Sequence, residues 1–286
     1  MSKPSPSEAA PPEGLRIDGP KLAHVPDADL AYQLYYAVVR EQRSEAEQAA
    51  ADRAARRWIE LGKHRVAVYA WGAEDGPAVL FAHGWNGHGT QVAPMIDALT
   101  GAGFRVWAFD GLGHGESTGR TTNVVQLGEL IGALAGLAGE AGAVRGVIGH
   151  SLGGMAVSFA LQEYRMERVR VALLASPYSF DQPSGRFMEM TGVGEDVLQE
   201  IIRRSEARTG RGWYDVSGET LIRRQTAPAL LMHDVDDDQV PIGESERIHR
   251  EWSGSLFEST RGLGHRRILA SPQVAARIAG FLAEGG

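Results

Sequence analysis

Short apolar runs recur between residues 64 and 284, each followed by a loop and then a stretch of helical character. They are Ala78-Val-Leu-Phe-Ala82, Arg105-Val-Trp-Ala-Phe109, Val144-Arg-Gly-Val-Ile148, Val169-Arg-Val-Ala-Leu-Leu174 and Ala229-Leu-Leu-Met232. Runs this short suit strands better than helices, and near-continuous apolar character marks strands covered on both faces. Helices near 90–101, 122–139, 152–164 and 267–283 would return the chain so that successive strands run parallel. Arg65–Ala70 reads as an early strand and Leu256–Ser259 as the last. The expected class is α/β: a mostly parallel central sheet flanked by helices on both faces. No internal repeat is present.

At residues 145–160 the strand, turn and helix join without a spacer. Val144–Ile148 runs into Gly149-His150-Ser151-Leu152-Gly153-Gly154, which opens the apolar stretch Met155–Ala160. This is the form of a nucleophile elbow, in which a serine sits on a sharp strand-to-helix bend. Gly149 and Gly153 spare the tight bend a Cβ clash. The helix N-terminus aims unpaired amides and a positive dipole end at the bend, where developing negative charge is stabilised. Gly-x-Ser-x-Gly alone is weak in a chain with 36 glycines, and Gly115-Glu116-Ser117-Thr118-Gly119 matches too. Ser117 has no strand immediately before it and Arg120-Thr-Thr-Asn123 after it, so Ser151 is the candidate nucleophile. The competing structural reading of Ser151 is an ordinary βα turn with a serine N-cap.

A serine hydroxyl needs a base, and the base needs a carboxylate that fixes its tautomer and stabilises its cation. After an elbow of this type the chain order is Ser, then Asp or Glu, then His. Among nine histidines, His265 lies in the Gly-rich loop Arg261-Gly-Leu-Gly-His265 between the last strand and the last helix. That loop can fold back over the sheet edge. His114 ranks second as a base, and His83 and His150 read as residues that pack or orient loops. No histidine pair has metal-ligand spacing with a third ligand in support, so no metal is expected. For the acid, Asp234, Asp236, Asp237 and Asp238 follow the strand ending at Met232, and spacing does not choose among them.

Composition narrows the setting. A formal net charge of −7 gives no reason to expect nucleic acid or an anionic membrane as partner. Zero cysteines exclude a thiol nucleophile and a disulfide frame and fit a reducing cytoplasm. No uncharged apolar run is long enough to span a bilayer, and the Pro/Ser-rich start lacks the apolar core of a signal peptide. Residues 1–26 read as a flexible tail. Residues 28–61 read as a helical extension, with Leu30, Leu34, Tyr35, Val38 and Val39 on one face. Such a face usually packs on its own domain; a homo-oligomer built on it is the alternative.

Between Pro177 and Thr226 the alternation lapses, and Gly, Pro, Met and aromatic residues surround one helix, expected over Val193–Arg208. This insertion, about 177–226, reads as a small cap over a pocket. Trp85, Met155 and Phe180 are candidate substrate-binding residues, with Tyr178, Phe187, Met188, Met190, Trp213 and Tyr214 as further pocket or cap residues. Together they suit an apolar acyl or aromatic substrate, although most such side chains simply join cap to core.

Taken together, residues 64–284 resemble the α/β-hydrolase superfamily. The resemblance is carried by His83-Gly-Trp85, Asp110-Gly-Leu-Gly-His-Gly-Glu-Ser117, Gly149-His-Ser-Leu-Gly-Gly154, His233-Asp-Val-Asp-Asp-Asp-Gln-Val-Pro241 and Gly262-Leu-Gly-His265. Within the superfamily, the chain resembles bacterial members with His-Gly-Trp after the third strand and Gly-Leu-Gly-His-Arg-Arg-Ile-Leu near the end. The resemblance implies a Ser-His-Asp hydrolase of esters or related acyl compounds that needs no cofactor. It selects Asp237, four residues before Pro241, as the acid. Asp236 and Asp238 remain alternatives, because His233-Asp234 stands where many members have His-Gly. It places the oxyanion-hole amides at Leu152 and Trp85. It leaves open an acyltransferase or cofactor-free perhydrolase on the same triad, and a non-catalytic binder on the same scaffold. Relatives with haloalkane dehalogenase or epoxide hydrolase chemistry carry Asp at the elbow, where this chain has Ser151.

Overall fold

The computed structural model describes residues 27–139, 143–166 and 168–284. The tail expected over residues 1–26 lies outside them. The elements run α1 (Ala28–Tyr36), α2 (Glu45–Arg53), β1 (Ala55–Leu61), β2 (His64–Trp71), β3 (Ala78–Ala82), α3 (Ala93–Gly101), β4 (Arg105–Phe109), α4 (Val124–Gly139) and β5 (Val144–His150). They continue with α5 (Leu152–Glu163), β6 (Arg170–Leu174), α6 (Asp181–Thr191), α7 (Glu195–Thr209), α8 (Gly218–Leu221), β7 (Ala229–Asp234), α9 (Ile242–Glu251), β8 (Leu256–Thr260), α10 (Gly264–Arg267) and α11 (Pro272–Ala283).

The strands form one sheet in the order β1-β2-β4-β3-β5-β6-β7-β8. β2 runs antiparallel to both neighbours, and the pairs from β4 to β8 are parallel. The period-2 alternation of side chains divides the core in two. Leu80, Val147, Val171, Leu173 and Leu231 face a layer that includes α4, α5 and α9. Val79, Phe81, Ile148, Ala172, Leu174 and Leu230 face α2, α3 and α11. This is the α/β-hydrolase architecture, with helices on both faces of a mostly parallel sheet.

The helical reading of residues 28–61 needs correction. Helix covers 28–36 and 45–53, whereas Ala55–Leu61 is an edge strand paired with β2 from Ala55↔Ala70 to Leu61↔His64. Gly62, at φ 57, supplies the positive φ of the two-residue hairpin turn. Sheet pairing overrides the helix propensity of an Ala- and Arg-rich stretch. The buried side of α1 is Ala31, Tyr32, Leu34 and Tyr36, packed with Val193 and Ile201 of this chain's own insertion.

The insertion between β6 and β7 holds α6 as well as α7. Pro183 and Gly185 hide α6 from a propensity-based reading, which finds only the amphipathic α7 there. Gly192 and Gly210 end the two helices at φ 72 and 65. Among the described residues, no helix is long and apolar enough to cross a membrane.

Candidate active site

Ser151 stands at the C-terminal end of β5, the central position of the sheet, at φ 52 and ψ −125. This is a rare backbone conformation for a non-glycine residue, and it turns the serine out of the strand ladder. The glycines around it serve close approach. A Cβ on Gly153 would lie 2.2 Å from the Ala82 carbonyl oxygen, one on Gly149 2.7 Å from Gly154 Cα, and one on Gly84 2.8 Å from Ser151 Cβ. No larger residue fits between β3, β5 and the start of α5.

His265 is brought back over the same end of the sheet. Its Nδ1 lies 2.8 Å from Asp237 Oδ2. The other oxygen of Asp237 accepts the amides of Gln239 and Val240 at 2.8 and 2.9 Å. His233 Nε2, 3.2 Å from Oδ2, adds a second imidazole to the same carboxylate. Burial alone would push the Asp237 carboxyl pKa up, but the bonds from His233, His265 and the Val240 amide hold it well below the usual range. Asp237 is therefore a fixed anion, and a carboxylate on Nδ1–H leaves Nε2 as the basic nitrogen of His265.

The remaining aspartates of the run do other work. Asp234 accepts the Asp236 amide at 3.0 Å, the Thr260 hydroxyl at 2.7 Å and the Leu263 amide at 3.0 Å. Burial raises its pKa, and the donors from Thr260, Gly264, Leu263 and Asp236 bring it down to about 2. Asp234 thus pins the loop that carries His265. Asp236 accepts the Gly262 amide at 2.9 Å and faces Arg261. Of the four carboxylates, Asp237 is the one that meets His265.

The loop carrying Trp85 rests on two neutral histidines. His83 Nδ1 donates to the Gly84 carbonyl, and its Nε2 accepts the Gly111 amide at 2.8 Å. His114 Nδ1 donates to the Leu112 carbonyl, and its Nε2 accepts the Asn86 amide at 3.1 Å. Burial pushes His83 down to about 4 and His114 well below its usual value. With both ring nitrogens engaged, His114 is a loop support, not the alternative base. His150 donates from Nε2 to the His265 carbonyl at 2.9 Å, and the two rings lie 4.9 Å apart. Burial takes its pKa down to about 3. These supporting imidazoles had a partial signal in the sequence, since each adjoins a glycine of a motif.

Ser151, Leu152, Trp85 and His265 border one cavity of about 380 Å³. Leu152 is the first residue of α5, so its N–H has no acceptor inside the helix. Phe180, Phe187, Met190 and Trp213 also line the cavity. Met155 does not: α5 turns it into a buried cluster with Val124, Val125, Phe159, Val216 and Leu221, so its substrate-binding assignment is corrected. Tyr178 is buried with its hydroxyl on Glu251, and Tyr214 is exposed on the outside of the cap. Leu34, Tyr35, Tyr36 and Ala37 line the cavity as well, which brings the N-terminal segment into the site. Among the described residues, no cluster of side chains is arranged to hold a metal ion.

Comparison with known proteins agrees with this fold. A family profile described as "Alpha/beta hydrolase family" matches residues 79–278. Epoxide hydrolase B of Mycobacterium tuberculosis is 30% identical over 182 residues, which are 52% of this chain and 49% of that protein. The chain thus spans about half the length of that relative. A bifunctional esterase/perhydrolase DCH of Acinetobacter calcoaceticus is 32% identical over 218 residues, 60% of this chain and 78% of that protein. Among solved structures, an esterase from Exiguobacterium antarcticum superposes with a TM-score of 0.61 at 16% identity, over 79% of this chain and 98% of that one.

Proposed function

The chain belongs to the alpha/beta hydrolase family, and on that premise we propose that it is a serine hydrolase cleaving a carboxylic ester or related acyl compound. The observation that carries this reading is the strained Ser151 and the Asp237-paired His265 on the wall of one cavity. In the proposed reaction Ser151 Oγ attacks the acyl carbon while His265 Nε2 takes the hydroxyl proton. The Leu152 and Trp85 amides bind the oxyanion, each donor being worth roughly 3 to 4 kcal/mol in the transition state. Among the described residues, the Trp85 amide has no other acceptor. The tetrahedral intermediate collapses as His265 passes the proton to the leaving alkoxide. Water, deprotonated by the same nitrogen, then cleaves the acyl-enzyme and restores Ser151. Asp237 stays ionised and stabilises the imidazolium in both half-reactions. No step calls for a cofactor or a metal. A cytoplasmic location is part of the same proposal, and the zero cysteines of the chain are compatible with it.

Epoxide opening fits this site poorly. A carboxylate nucleophile gives an ester that water can cleave at its carbonyl, whereas a serine would give an ether that water leaves intact. The likeness to an esterase/perhydrolase favours one second reading, in which peroxide or an alcohol replaces water as acceptor of the acyl group.

Labelling the folded protein with a fluorophosphonate and mapping the adduct by peptide mass spectrometry tests the main reading. Label on Ser151 is expected, and its absence there would overturn the proposal. Product analysis with peroxide in competition with water decides the acceptor.

A further inference from the structure

The roof of the cavity is built from two parts of the chain that lie far apart in sequence. The insertion supplies Phe180, Phe187 and Trp213, and the N-terminal segment supplies Tyr35. The Tyr35 ring meets Phe187 edge-on at 5.1 Å and 80° and lies 6.0 Å from Trp213, while Phe180 and Trp213 lie 4.5 Å apart at 43°. The Tyr35 hydroxyl bonds Ser184 Oγ on α6 at 2.9 Å. Tyr35 thereby joins both helical parts of the roof.

The segment that carries Tyr35 is tied down along its length. α1 packs on α7, with Arg204 on Asp29 at the start. The Val38 amide donates to the Arg120 carbonyl at 3.1 Å and the Val39 amide to Asn86 Oδ1 at 2.9 Å. Arg40 donates to the carbonyls of Gly115, Ser117 and Gly119. Arg43 ends the strap on buried Asp110 at 3.3 Å and on Glu116 at 2.7 Å. The wall is thus preorganised, and residues 28–43 belong to the site as much as the insertion does.

We infer that this cavity takes an aryl acyl group and that Tyr35 fixes the preference. The inference rests on the proposed serine hydrolase reading. Rings held at steep mutual angles offer a flat guest both faces and edges, the arrangements aromatic pairs favour. A volume of about 380 Å³ lies at the small end for ligand sites, enough for a ring on a short linker. Several polar side chains of the lining already have partners, among them Arg266, which pairs with Glu41. Glu206 accepts the Trp213 amide, Thr209 donates to the Ser205 carbonyl, and Arg211 pairs with Glu163. With these charges paired and Tyr35, Phe180, Phe187 and Trp213 in the lining, the cavity favours an apolar ring over a charged acyl chain.

The test compares 4-nitrophenyl 3-phenylpropanoate with 4-nitrophenyl hexanoate, which share a leaving group and differ in the shape of the acyl group. The full chain is expected to show a kcat/KM at least tenfold higher for the aryl ester. Tyr35→Ala should bring the ratio below about threefold, Tyr35→Leu should do the same while keeping the bulk of the roof, and Tyr35→Phe should preserve it. A wild-type preference for hexanoate, or a ratio unmoved in both Tyr35→Ala and Tyr35→Leu, overturns the inference. Binding of 3-phenylpropanamide and hexanamide to the Ser151→Ala protein, read by tryptophan fluorescence, separates the two layers. Tenfold tighter binding of the aryl amide without cleavage of either ester would uphold the pocket and sink the hydrolase reading. Cleavage of both esters without aryl preference would sink the pocket alone.

Discussion

Two segments of this chain spell Gly-x-Ser-x-Gly, and they have opposite fates. Ser151 sits at φ 52 on the cavity wall, and its flanking glycines are required because the backbones of β3 and α5 come within a Cβ's reach. Ser117 is fully buried; its hydroxyl donates to the Asp110 carbonyl at 2.6 Å and accepts the Ala67 amide at 2.9 Å. Its glycines serve a turn, at φ +43 for Gly115 and +103 for Gly119. The same five letters thus build a reactive bend in one place and a loop anchor in the other. A hydroxyl with both hydrogen-bonding roles filled has nothing left for a substrate, whereas a strained serine facing a cavity does. The strand before and the helix after decide between these outcomes, and the pattern itself does not.

The strongest way to break the contrast is Ser151→Ala. Ester turnover should fall by about 10⁶-fold, in line with losses on removing a triad serine, while the thermal midpoint moves by only about 2 °C or less. Retention of even a hundredth of the activity would show that Ser151 is not the nucleophile. Asp237→Asn comes next, at about 10⁴-fold, because an amide at that place favours the wrong imidazole tautomer. The corresponding change at Asp236, which touches the Gly262 amide but not His265, should lower turnover by less than tenfold. Equal losses at the two positions would undo the assignment of the acid.

Gly153→Ala sharpens the same contrast at the level of the backbone. Its methyl would meet the Ala82 carbonyl at 2.2 Å, a contact between main chains with no flexible side chain to yield. A loss of more than about 3 kcal/mol of stability is expected, on the scale of overpacking and strain at a special site, and denaturant melts measure it.

How much of this was legible in the sequence follows from how locally each feature is encoded. The strands and the elbow are signalled by consecutive residues, so Val144–Ile148 and Gly149–Gly154 could be read directly. Choosing one aspartate of four was beyond spacing, because the turn after β7 decides which carboxylate points at His265. Asp234, at the end of the strand, instead turns to hold the Leu263 amide. The N-terminal strap was illegible for another reason. Its partners on α7 and in the Gly111–Gly119 loop lie far along the chain, and nothing in the local pattern of Arg40 or Arg43 names the carbonyls and carboxylates they meet. Ala55–Leu61 did carry a short-range signal, the Gly62-Lys63 pair of a hairpin turn, and helix-prone composition masked it.

The Trp85 loop and the Ser151 elbow also rest on buried neutral histidines, which gives them a common sensitivity to acid. His83 at about 4, His150 at about 3 and His114 well below its usual value refuse protons that the unfolded chain accepts near 6.5. Their folded pKa values are depressed, so the stability they contribute is complete above pH 6.5 and drains as the pH falls toward 4. At pH 4.5 the loss from His83 alone should reach roughly 2 to 3 kcal/mol. Guanidinium midpoints between pH 7.5 and 4.5 test this. A flat profile would mean that these rings are protonated in the folded protein.

Ser117→Ala should have the smallest effect. Removing the hydroxyl leaves the Ala67 amide of β2 and the Asp110 carbonyl without partners in a dry interior. An unsatisfied buried group costs about 1 to 3 kcal/mol, enough to lower the thermal midpoint by a few degrees in a domain of this size. Turnover measured well below that midpoint should stay within about twofold of the native protein, since Ser117 points into the loop core and not into the cavity. A loss of turnover comparable to that of Ser151→Ala, with stability unchanged, would invert the comparison and make the Gly115–Gly119 segment the functional one. The arrangement of Asp110 argues against that outcome. Its side chain accepts the amides of Gly89 and Glu116 and the Tyr69 hydroxyl, at 2.8, 2.8 and 2.9 Å, and pairs with Arg43. A carboxylate so occupied, above a serine so occupied, holds a loop and the strap that crosses it.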